Sequence, residues 1–559
     1  MTVVADRTIE DRPHRPYRRL RVVRARLGLT GCGFAIAFFC LSLTPSLLPR
    51  PVLLQGVVSG LTATIGYAIG AALGAIVRRF QRHGHPRATR ICWWAVIIAG
   101  PLLGVLFLAL GTRWQQQLRA RVELEQMPAY DIVRIIGVSL LTFLLLLLIA
   151  RSMRLATRRI ARVLGRFVPR PVAYGTGVLV VGLLALGFVD GVAQEQLLAV
   201  ADRTAALTDG GTDAGTRTPV TRLRSGGPGS AVSRRSLGRQ GRRFVGTGPS
   251  VVQLGTFAGA PGTEPIRVYA GLKSAGSARA RAQLVLREMD RTGAWDRAVI
   301  GVLTPTGTGW LDSAVTDSLE YMYAGDTALV SMQYSYLPSW ISFLTDRSKV
   351  RESAGALIGA VYERWAVMPA QTRPKLLLFG ESLGSYGTES AFADLPALAG
   401  TADGVLLVGP PFANPIHRDL TDTRTAGSPV WNPLASQPVR FAQNPADLRT
   451  PRIPQPKVVY LQNSSDPIVW WTPELLIARP AWLDDPRGPD VSPAMHWYPV
   501  VTFWQTLVDQ FAANSVPAGH GHVYGSGVVD GWAALTAPPG WTAADTVRLR
   551  ALLDHPAPR

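Results

Sequence analysis

The hydrophobic residues follow different patterns before and after about residue 200. In the first part, five apolar stretches are long enough, or nearly so, to cross the hydrocarbon core of a bilayer as helices, which takes about 20 residues each. No charged residue lies in the middle of any of them. The pattern therefore predicts an N-terminal α-helical transmembrane bundle of about five spans. These run approximately over 27–48, 52–77, 91–112, 132–150 and 172–193.

After about residue 246, short apolar runs alternate with helix-length amphipathic segments. The runs predict buried strands, and the segments between them predict helices that cover the sheet on both faces. The second part is therefore expected to be a doubly wound α/β fold with a mostly parallel sheet, in which ligands bind beyond the carboxyl ends of the strands. The predicted strands are 266–270, 298–303, 328–333, 376–379, 404–408 and 458–461, and the predicted helices are 277–292, 314–324, 351–366 and 383–393.

These patterns divide the chain into four segments. A basic tail covers 1–26 and a transmembrane helical domain covers 27–195. Residues 196–236 are rich in Gly, Thr, Ser and Arg, a composition that buries too little apolar surface to fold alone, so they are expected to form a flexible linker. A catalytic domain is expected over 237–559.

The basic residues of the chain indicate its orientation in a membrane. The net charge is +20, and the first 200 residues hold 25 Arg against 8 acidic residues. The excess therefore belongs to the apolar part of the chain, which argues against nucleic-acid binding. Twenty of these arginines lie in 1–26, 78–90 and 151–170. Because cytoplasmic segments retain Arg and Lys, we expect a multi-pass protein of the plasma membrane, with the bilayer as its partner. Its N-terminus is then cytoplasmic and its catalytic domain extracytoplasmic.

Two further function classes lose support. The chain has three cysteines, all within apolar runs, and these form neither a zinc-binding spacing nor a disulfide framework. The uncharged middles of the five apolar stretches argue against an ion-coupled transporter, which usually needs charged groups there.

The strongest motif is Gly380-Glu381-Ser382-Leu383-Gly384. This G-x-S-x-G sequence follows an apolar strand and precedes a helical segment, as a nucleophile elbow requires. In such an elbow the serine lies on a strained turn, and the two glycines let strand and helix pass closely. An ordinary Gly-rich turn is the alternative. The context favours Ser382 as a catalytic nucleophile.

A serine nucleophile needs a base, and the base needs an orienting carboxylate. On this kind of sheet the chain order is Ser, then the acid, then His. Asp466 follows the predicted strand 458–461 and is favoured as the acid. An aspartate before a proline also commonly forms a local turn, which is the alternative role for Asp466.

The Gly-rich segment 517–525 contains His520 and His522, one of which is expected to be the base. His522 is preferred, because Val523 and Tyr524 could anchor it, and His520 is the alternative. Two histidines in this spacing can also bind a metal, but no Cys or acidic cluster lies near them in the sequence. Neither a metal nor an organic cofactor is expected.

An oxyanion hole usually takes one backbone N–H from the residue after the nucleophile and one from the loop after an early strand. The first donor is expected to be Leu383. The loop 304–310 follows the predicted strand 298–303, and Thr306 or Gly307 is expected to supply the second donor. The loop lacks the spacing of a P-loop or of a dinucleotide-binding turn.

With these motifs, the chain resembles the alpha/beta-hydrolase superfamily. Its layout is similar to that of bacterial, mainly actinobacterial, membrane-anchored alpha/beta-hydrolases with an N-terminal multi-helix region. The segments that carry the resemblance are 46–51, 237–244, 304–310, 380–387 and 519–524. The resemblance implies a serine hydrolase and places 237–244 at the entry of the catalytic domain. It implies no particular substrate.

The expected function is hydrolysis of an ester or related acyl bond, in a small-molecule or lipid-like substrate, through a Ser-His-Asp triad. An acyltransferase would use the same residues with an alcohol in place of water. A non-catalytic membrane scaffold is the alternative from another class.

Overall fold

The computed structural model of the chain describes residues 27–80, 86–126, 131–187, 208–337, 342, 345, 347–435, 438–449, 456–484 and 486–555. The predicted basic tail 1–26 lies outside the described residues, as does the part of the predicted linker before residue 208.

The N-terminal part consists of apolar helices, but the described residues do not form five clear spans, and residues 188–193 of the fifth predicted stretch lie outside them. Among the described residues, three helices are long and apolar enough to cross a membrane, and two are shorter. The helices are α1 (Leu29–Ser42), α2 (Val52–Phe80), α3 (Pro86–Arg121), α4 (Ile132–Leu164) and α5 (Arg170–Gly187).

The first predicted stretch, 27–48, is divided at Ser42. Helix α1 has 14 residues and therefore a length of about 21 Å. It ends in two tight turns, in which the N–H groups of Leu43 and Thr44 bond to carbonyls three residues earlier. Residues 43–51 include three prolines, which cannot continue a helix. This segment, which we call the α1–α2 loop, leaves the helical bundle.

Glycines of α2 let its neighbours pack closely, as expected for small residues spaced four apart in a bundle. A Cβ on Gly60 would collide with a backbone carbonyl of α4, and a Cβ on Gly70 would collide with one of α1. Helix α2 therefore lies between α1 and α4, and its glycines mark where these helices pack closely.

The C-terminal part contains a parallel sheet that, within the described residues, has seven strands in the order β1-β3-β2-β4-β5-β7-β6. Apart from Lys375, the first residue of β4, the strand residues are buried, because helices cover both faces of the sheet. The predicted α/β fold is confirmed. The strands are β1 (Ile266–Ala270), β2 (Val299–Thr304), β3 (Thr327–Met332), β4 (Lys375–Glu381), β5 (Gly404–Val408), β6 (Val439–Ala442) and β7 (Val458–Leu461). The short edge strand β6 was not predicted.

The α-helices of this part precede β1, connect successive strands or follow β7. They are α6 (Gly238–Gly246), α7 (Val251–Ala258), α8 (Ala278–Thr292), α9 (Ser313–Met322), α10 (Arg347–Ala366), α11 (Leu383–Glu389), α12 (Leu395–Thr401), α13 (Pro415–Asp422), α14 (Pro445–Arg449), α15 (Pro467–Trp470), α16 (Val501–Asp509), α17 (Val528–Thr536) and α18 (Ala543–Asp554).

Residues 208–236 are not a flexible linker, which corrects the prediction for this part of 196–236. The backbone N–H of Ser225 donates to the carbonyl of Arg267 on β1 (3.1 Å). The hydroxyls of Ser225 and Ser230 both donate to the buried carboxylate of Glu288 on α8 (3.0 and 2.8 Å). The segment is held by hydrogen bonds between its polar groups and the α/β domain, and its Val232 is buried in the core of that domain. That domain therefore begins before residue 237.

The two parts of the chain pack against each other. Leu47 and Leu48 of the α1–α2 loop and Val122, which follows α3, lie in one apolar cluster with residues of the C-terminal part such as Trp470 and Met495. The α1–α2 loop and the segment after α3 therefore share a hydrophobic cluster with the α/β domain.

Candidate active site

Ser382 lies on a strained turn between β4 and α11. Its φ of 55° and ψ of −124° form a conformation that residues with a side chain rarely adopt. A Cβ on Gly380 would lie 2.7 Å from Cα of Ser385, and a Cβ on Gly384 would lie 2.9 Å from the carbonyl oxygen of Pro305. Only glycine fits at either position. The turn therefore has the geometry of a nucleophile elbow, with the serine held at the carboxyl end of a central strand.

Asp466 lies on the loop after β7, also at the carboxyl edge of the sheet. Its buried carboxylate accepts two hydrogen bonds at Oδ2, from Nδ1 of His522 and from the hydroxyl of Tyr524, both at 2.7 Å. Its Oδ1 accepts the backbone N–H of Ile468 (2.9 Å). With both oxygens bonded, the carboxylate is fixed in one orientation and fixes the imidazole of His522 in turn.

The His522 ring lies beside the elbow. The backbone N–H of Ser382 donates to the carbonyl of Val408, the last residue of β5 (2.8 Å). Gly409 follows directly, and a Cβ there would lie 2.5 Å from Cε1 of His522. Nδ1 of the ring bonds Asp466, and the neighbouring Cε1 faces Gly409. The His522 ring therefore lies between the carboxylate of Asp466 and the end of β5, to which the backbone of Ser382 is hydrogen-bonded.

His520 has a different partner. Its Nδ1 lies 3.1 Å from Oδ2 of Asp490, on the loop before α16. The structure thus brings His522, and not His520, to Asp466. The interaction with Asp490 raises the pKa of the His520 imidazole against the effect of burial, and the charge of Glu123, which follows α3, raises it further.

Burial and nearby charges oppose each other at His522. Burial lowers the pKa of the imidazole, but the charge of Asp466, its hydrogen bond to the ring and the charge of Glu381 together raise it above the usual value. Burial raises the pKa of the adjacent Glu381 carboxyl to about 8. The charges of Asp312 and Asp466 add to this rise, and that of His522 opposes it. The carboxylate of Asp466 thus stabilises a protonated imidazole, which a general base must become.

The predicted oxyanion donors have different surroundings. Leu383 is the first residue of α11, where a backbone N–H has no partner within the helix and the helix dipole favours negative charge. The prediction of Thr306 as an oxyanion donor is wrong, because its backbone N–H already donates to the carbonyl of Trp310 within the same loop (2.9 Å). The loop abuts the elbow at Gly384. The other predicted second donor, Gly307, lies in this loop and stays a prediction.

Around the predicted triad, sequence reasoning named Tyr524 only as an anchor for His522, and it missed Glu381 and Glu389. Tyr524 bonds the acid, and Glu381 is buried beside the nucleophile. Glu389, at the end of α11, accepts from the hydroxyl of Tyr460 (2.9 Å) and from the side-chain amide of Asn414 (2.7 Å), which ties the nucleophile helix to the sheet and to α13. The available signal for Glu381 was its position within the elbow, and that for Tyr524 was its position two residues after His522. Nothing local marked Glu389.

A strained serine after a central parallel strand, with an aspartate and a histidine on later loops at the same sheet edge, defines the alpha/beta-hydrolase class. The chain belongs to the alpha/beta-hydrolase family. The family model with that description matches residues 266–549, and the model of the N-terminus of this family matches residues 43–249. Neither a curated protein nor a solved structure matches the chain. The resemblance to the alpha/beta-hydrolase superfamily is thereby confirmed.

Proposed function

We propose that the protein is a serine hydrolase that cleaves an ester or related acyl bond. The observation that carries this proposal is the buried 2.7 Å contact between His522 and Asp466, held beside the strained Ser382. Ser382 Oγ attacks the acyl carbonyl while His522 takes its proton, and Asp466 orients and stabilises the imidazolium. The N–H groups of Leu383 and Gly307 bind the oxyanion.

Collapse of the resulting tetrahedral intermediate breaks the bond to the leaving group, which receives the proton from His522. Water, deprotonated by the same imidazole, then attacks the acyl-enzyme and releases the acid and free Ser382. Every proton moves through one histidine, so the cycle uses no resident metal or organic cofactor.

The proposed location is the extracytoplasmic face of the plasma membrane. The α1–α2 loop and the segment after α3 both contact the hydrolase domain, with Arg121 Nη1 donating to the carbonyl of Pro489 (3.2 Å). If α2, α3 and α4 span the membrane, these loops and the hydrolase domain are on one side and the end of α4 at Leu164 is on the other. Helix α5 must then return the chain.

The arginines of 78–80, 86–90 and 151–170 lie at the opposite end of the helices from the hydrolase domain, which supports a cytoplasmic location for that end. Reporter fusions after residues 126 and 250 should both give extracytoplasmic signals. A cytoplasmic signal at 250 would overturn this orientation.

A lipid-like substrate is supported by a row of half-buried aromatic rings. Phe412, Trp471, Phe503 and Trp504 contact in sequence, with ring centroids 5.4, 5.2 and 5.1 Å apart. Phe412 follows closely on Gly409, which touches His522. Trp504 precedes Gln505, whose amide donates to carbonyls at the end of α1. The row thus connects the catalytic edge with the end of a membrane-type helix, a suitable path for an acyl chain.

The proposed activity is tested by labelling membranes with a fluorophosphonate, which reacts with activated serines. Wild-type protein and Ser390→Ala, a control at the end of the same helix α11, should both be labelled, and Ser382→Ala should not be. Labelling that persists in Ser382→Ala would refute the proposed nucleophile. Hydrolysis of soluble short-chain esters is measured for the same three proteins, and the proteins that are labelled should also be the ones that are active.

A further inference from the structure

The α1–α2 loop reaches into the hydrolase domain and binds one carboxylate there. The backbone N–H groups of Leu47 and Leu48 both donate to Oδ2 of Asp509 (3.1 and 3.4 Å), and Nε of Arg50 donates to Oδ1 (2.6 Å). The side chains of Arg50 and Asp509 are fully buried, as are those of both leucines. The contact is therefore a buried, charge-assisted joint between the two parts of the chain.

Asp509 is the last residue of α16, where the helix dipole disfavours a negative charge. Its compensation comes from the α1–α2 loop, since Arg50 and the two N–H groups belong to that loop. A buried carboxylate without such partners is strongly destabilising. The buried charge of Asp509 is therefore compensated when the α1–α2 loop lies against it. We call this arrangement the docked state.

The same loop lies against the segment that carries the catalytic histidine. A Cβ on Gly521 would lie 3.4 Å from Cδ1 of Leu48, so the leucine methyl group packs at the residue directly before His522. The backbone N–H of Gly521 donates to the hydroxyl of Ser465, the neighbour of Asp466 (2.9 Å). Leu48 therefore packs against the turn before His522, and a hydrogen bond links this turn to the residue before Asp466.

The far side of this turn is also linked to Asp509. The backbone N–H of His522 donates to the carbonyl of Ala513 (2.8 Å). Ala513 follows Asp509 by only four residues, through the short 3-10 helix Gln510–Ala512. The turn at His522 is thus held from two sides, by the Leu48 side chain and by the chain that leads from Asp509.

We propose that Leu48 and Asp509 are positioning residues for His522, so that the active site is complete only when the α1–α2 loop is docked. This inference rests on the proposed serine hydrolase function. It implies that the membrane part of the chain contributes to catalysis as well as to anchoring. A displacement of about 1 Å in a catalytic group can lower the rate about a hundredfold, and loss of the Leu48 contact acts on that scale.

The test compares Leu48→Ala with Leu53→Ala, a control at an exposed leucine of α2. Hydrolysis of a soluble short-chain ester is measured in full-length protein in detergent, so that delivery from a bilayer plays no part. Leu48→Ala should lower kcat at least about tenfold with KM changed less than about threefold. The acid limb of its pH–rate profile should move to lower pH, because Asp466 then stabilises the imidazolium less.

Leu53→Ala should behave as wild type. Where Leu48→Ala does not accumulate as folded protein, Leu48→Val is measured in the same way, and Leu48→Met should restore kcat because it conserves volume. Unchanged kcat in folded Leu48→Ala or Leu48→Val would overturn the inference. Full activity of Ser382→Ala would instead overturn the proposed function, so the two failures are distinguishable.

Discussion

His520 and His522 lie two residues apart, and each contacts an aspartate, yet the two pairs differ in their surroundings. The His522–Asp466 pair is buried at the carboxyl edge of the sheet, where Tyr524 bonds the same carboxylate oxygen and Ser382 is close. The His520–Asp490 pair lies at the junction with the membrane-type helices.

The comparison teaches that a histidine–carboxylate pair is not by itself catalytic. Asp490 accepts from the hydroxyl of Ser465 (2.8 Å) and from the side-chain amide of Gln443 (3.0 Å), so its pair belongs to a network that holds loops together. Only the pair that shares a sheet edge with a strained nucleophile can transfer a proton in the proposed reaction. Two experiments separate the two pairs further, and a third examines the carboxyl of Glu381 beside the His522–Asp466 pair.

The largest difference is expected between His522→Gln and His520→Gln. Loss of the base in a serine hydrolase lowers kcat by roughly a million-fold, whereas His520→Gln should retain kcat within about fivefold because it leaves the Asp466 pair intact. Ester hydrolysis rates of the two purified variants measure the difference. Equal losses would show that both histidines serve one catalytic unit.

A smaller difference is expected between Asp466→Asn and Asp490→Asn. The first should lower kcat roughly ten-thousandfold, because the amide no longer orients and stabilises the imidazolium. The second should leave most activity but cost about 1 to 3 kcal/mol of stability, because it disturbs buried hydrogen bonds. Rates and melting temperatures of both variants test this. A stable but inactive Asp490→Asn would contradict the separation.

The smallest effect concerns Glu381, whose carboxyl lies next to the catalytic pair. Its pKa in the folded protein is about 8, above the ordinary value of 4.5. The folded state therefore keeps a proton that the unfolded chain loses, and its stabilisation is full below pH 4.5 and is lost as the pH rises through 8. Glu381→Gln stays neutral, so its melting temperature should fall less between pH 5.5 and 8.5 than that of wild type.

The control for this measurement is Glu352→Gln, at an exposed position of α10. Its melting temperature should follow the wild-type dependence on pH. A Glu381→Gln variant with that same dependence would show that Glu381 does not ionise in this range.

Much of the α/β domain was predictable, because strands buried on both faces are continuous apolar runs. The run 376–379, for example, is the centre of β4. Strand β6 was missed because Arg440 interrupts its apolar residues, whereas the equally short β7 is an uninterrupted apolar run. The stretch 27–48 was overestimated, since hydropathy alone does not show that Leu47 and Leu48 are buried in protein and not in lipid. Residues 208–236 were misjudged because their buried partners are polar.

The candidate catalytic residues divide in the same way. Ser382 was predictable because the elbow is a local structure with its glycines beside it in the chain, and Asp466 because it lies on the loop after a predicted strand. The choice between His520 and His522 remained open, because the acid that each contacts is distant in sequence. The exclusion of Thr306 depended on one hydrogen bond inside its loop.

The sequence by itself determined the class of each half of the chain, the nucleophile elbow and the order of serine, acid and histidine. These depend on local hydrophobic periodicity and on turn geometry, which neighbouring residues specify. Only the tertiary structure decided which histidine meets Asp466, and that the α1–α2 loop supports the turn before it. Such contacts join residues more than 50 positions apart, as His522 and Asp466 are, and Asp509 and Leu48 are 461 apart. Packing of the whole chain, and no local pattern, brings such residues together.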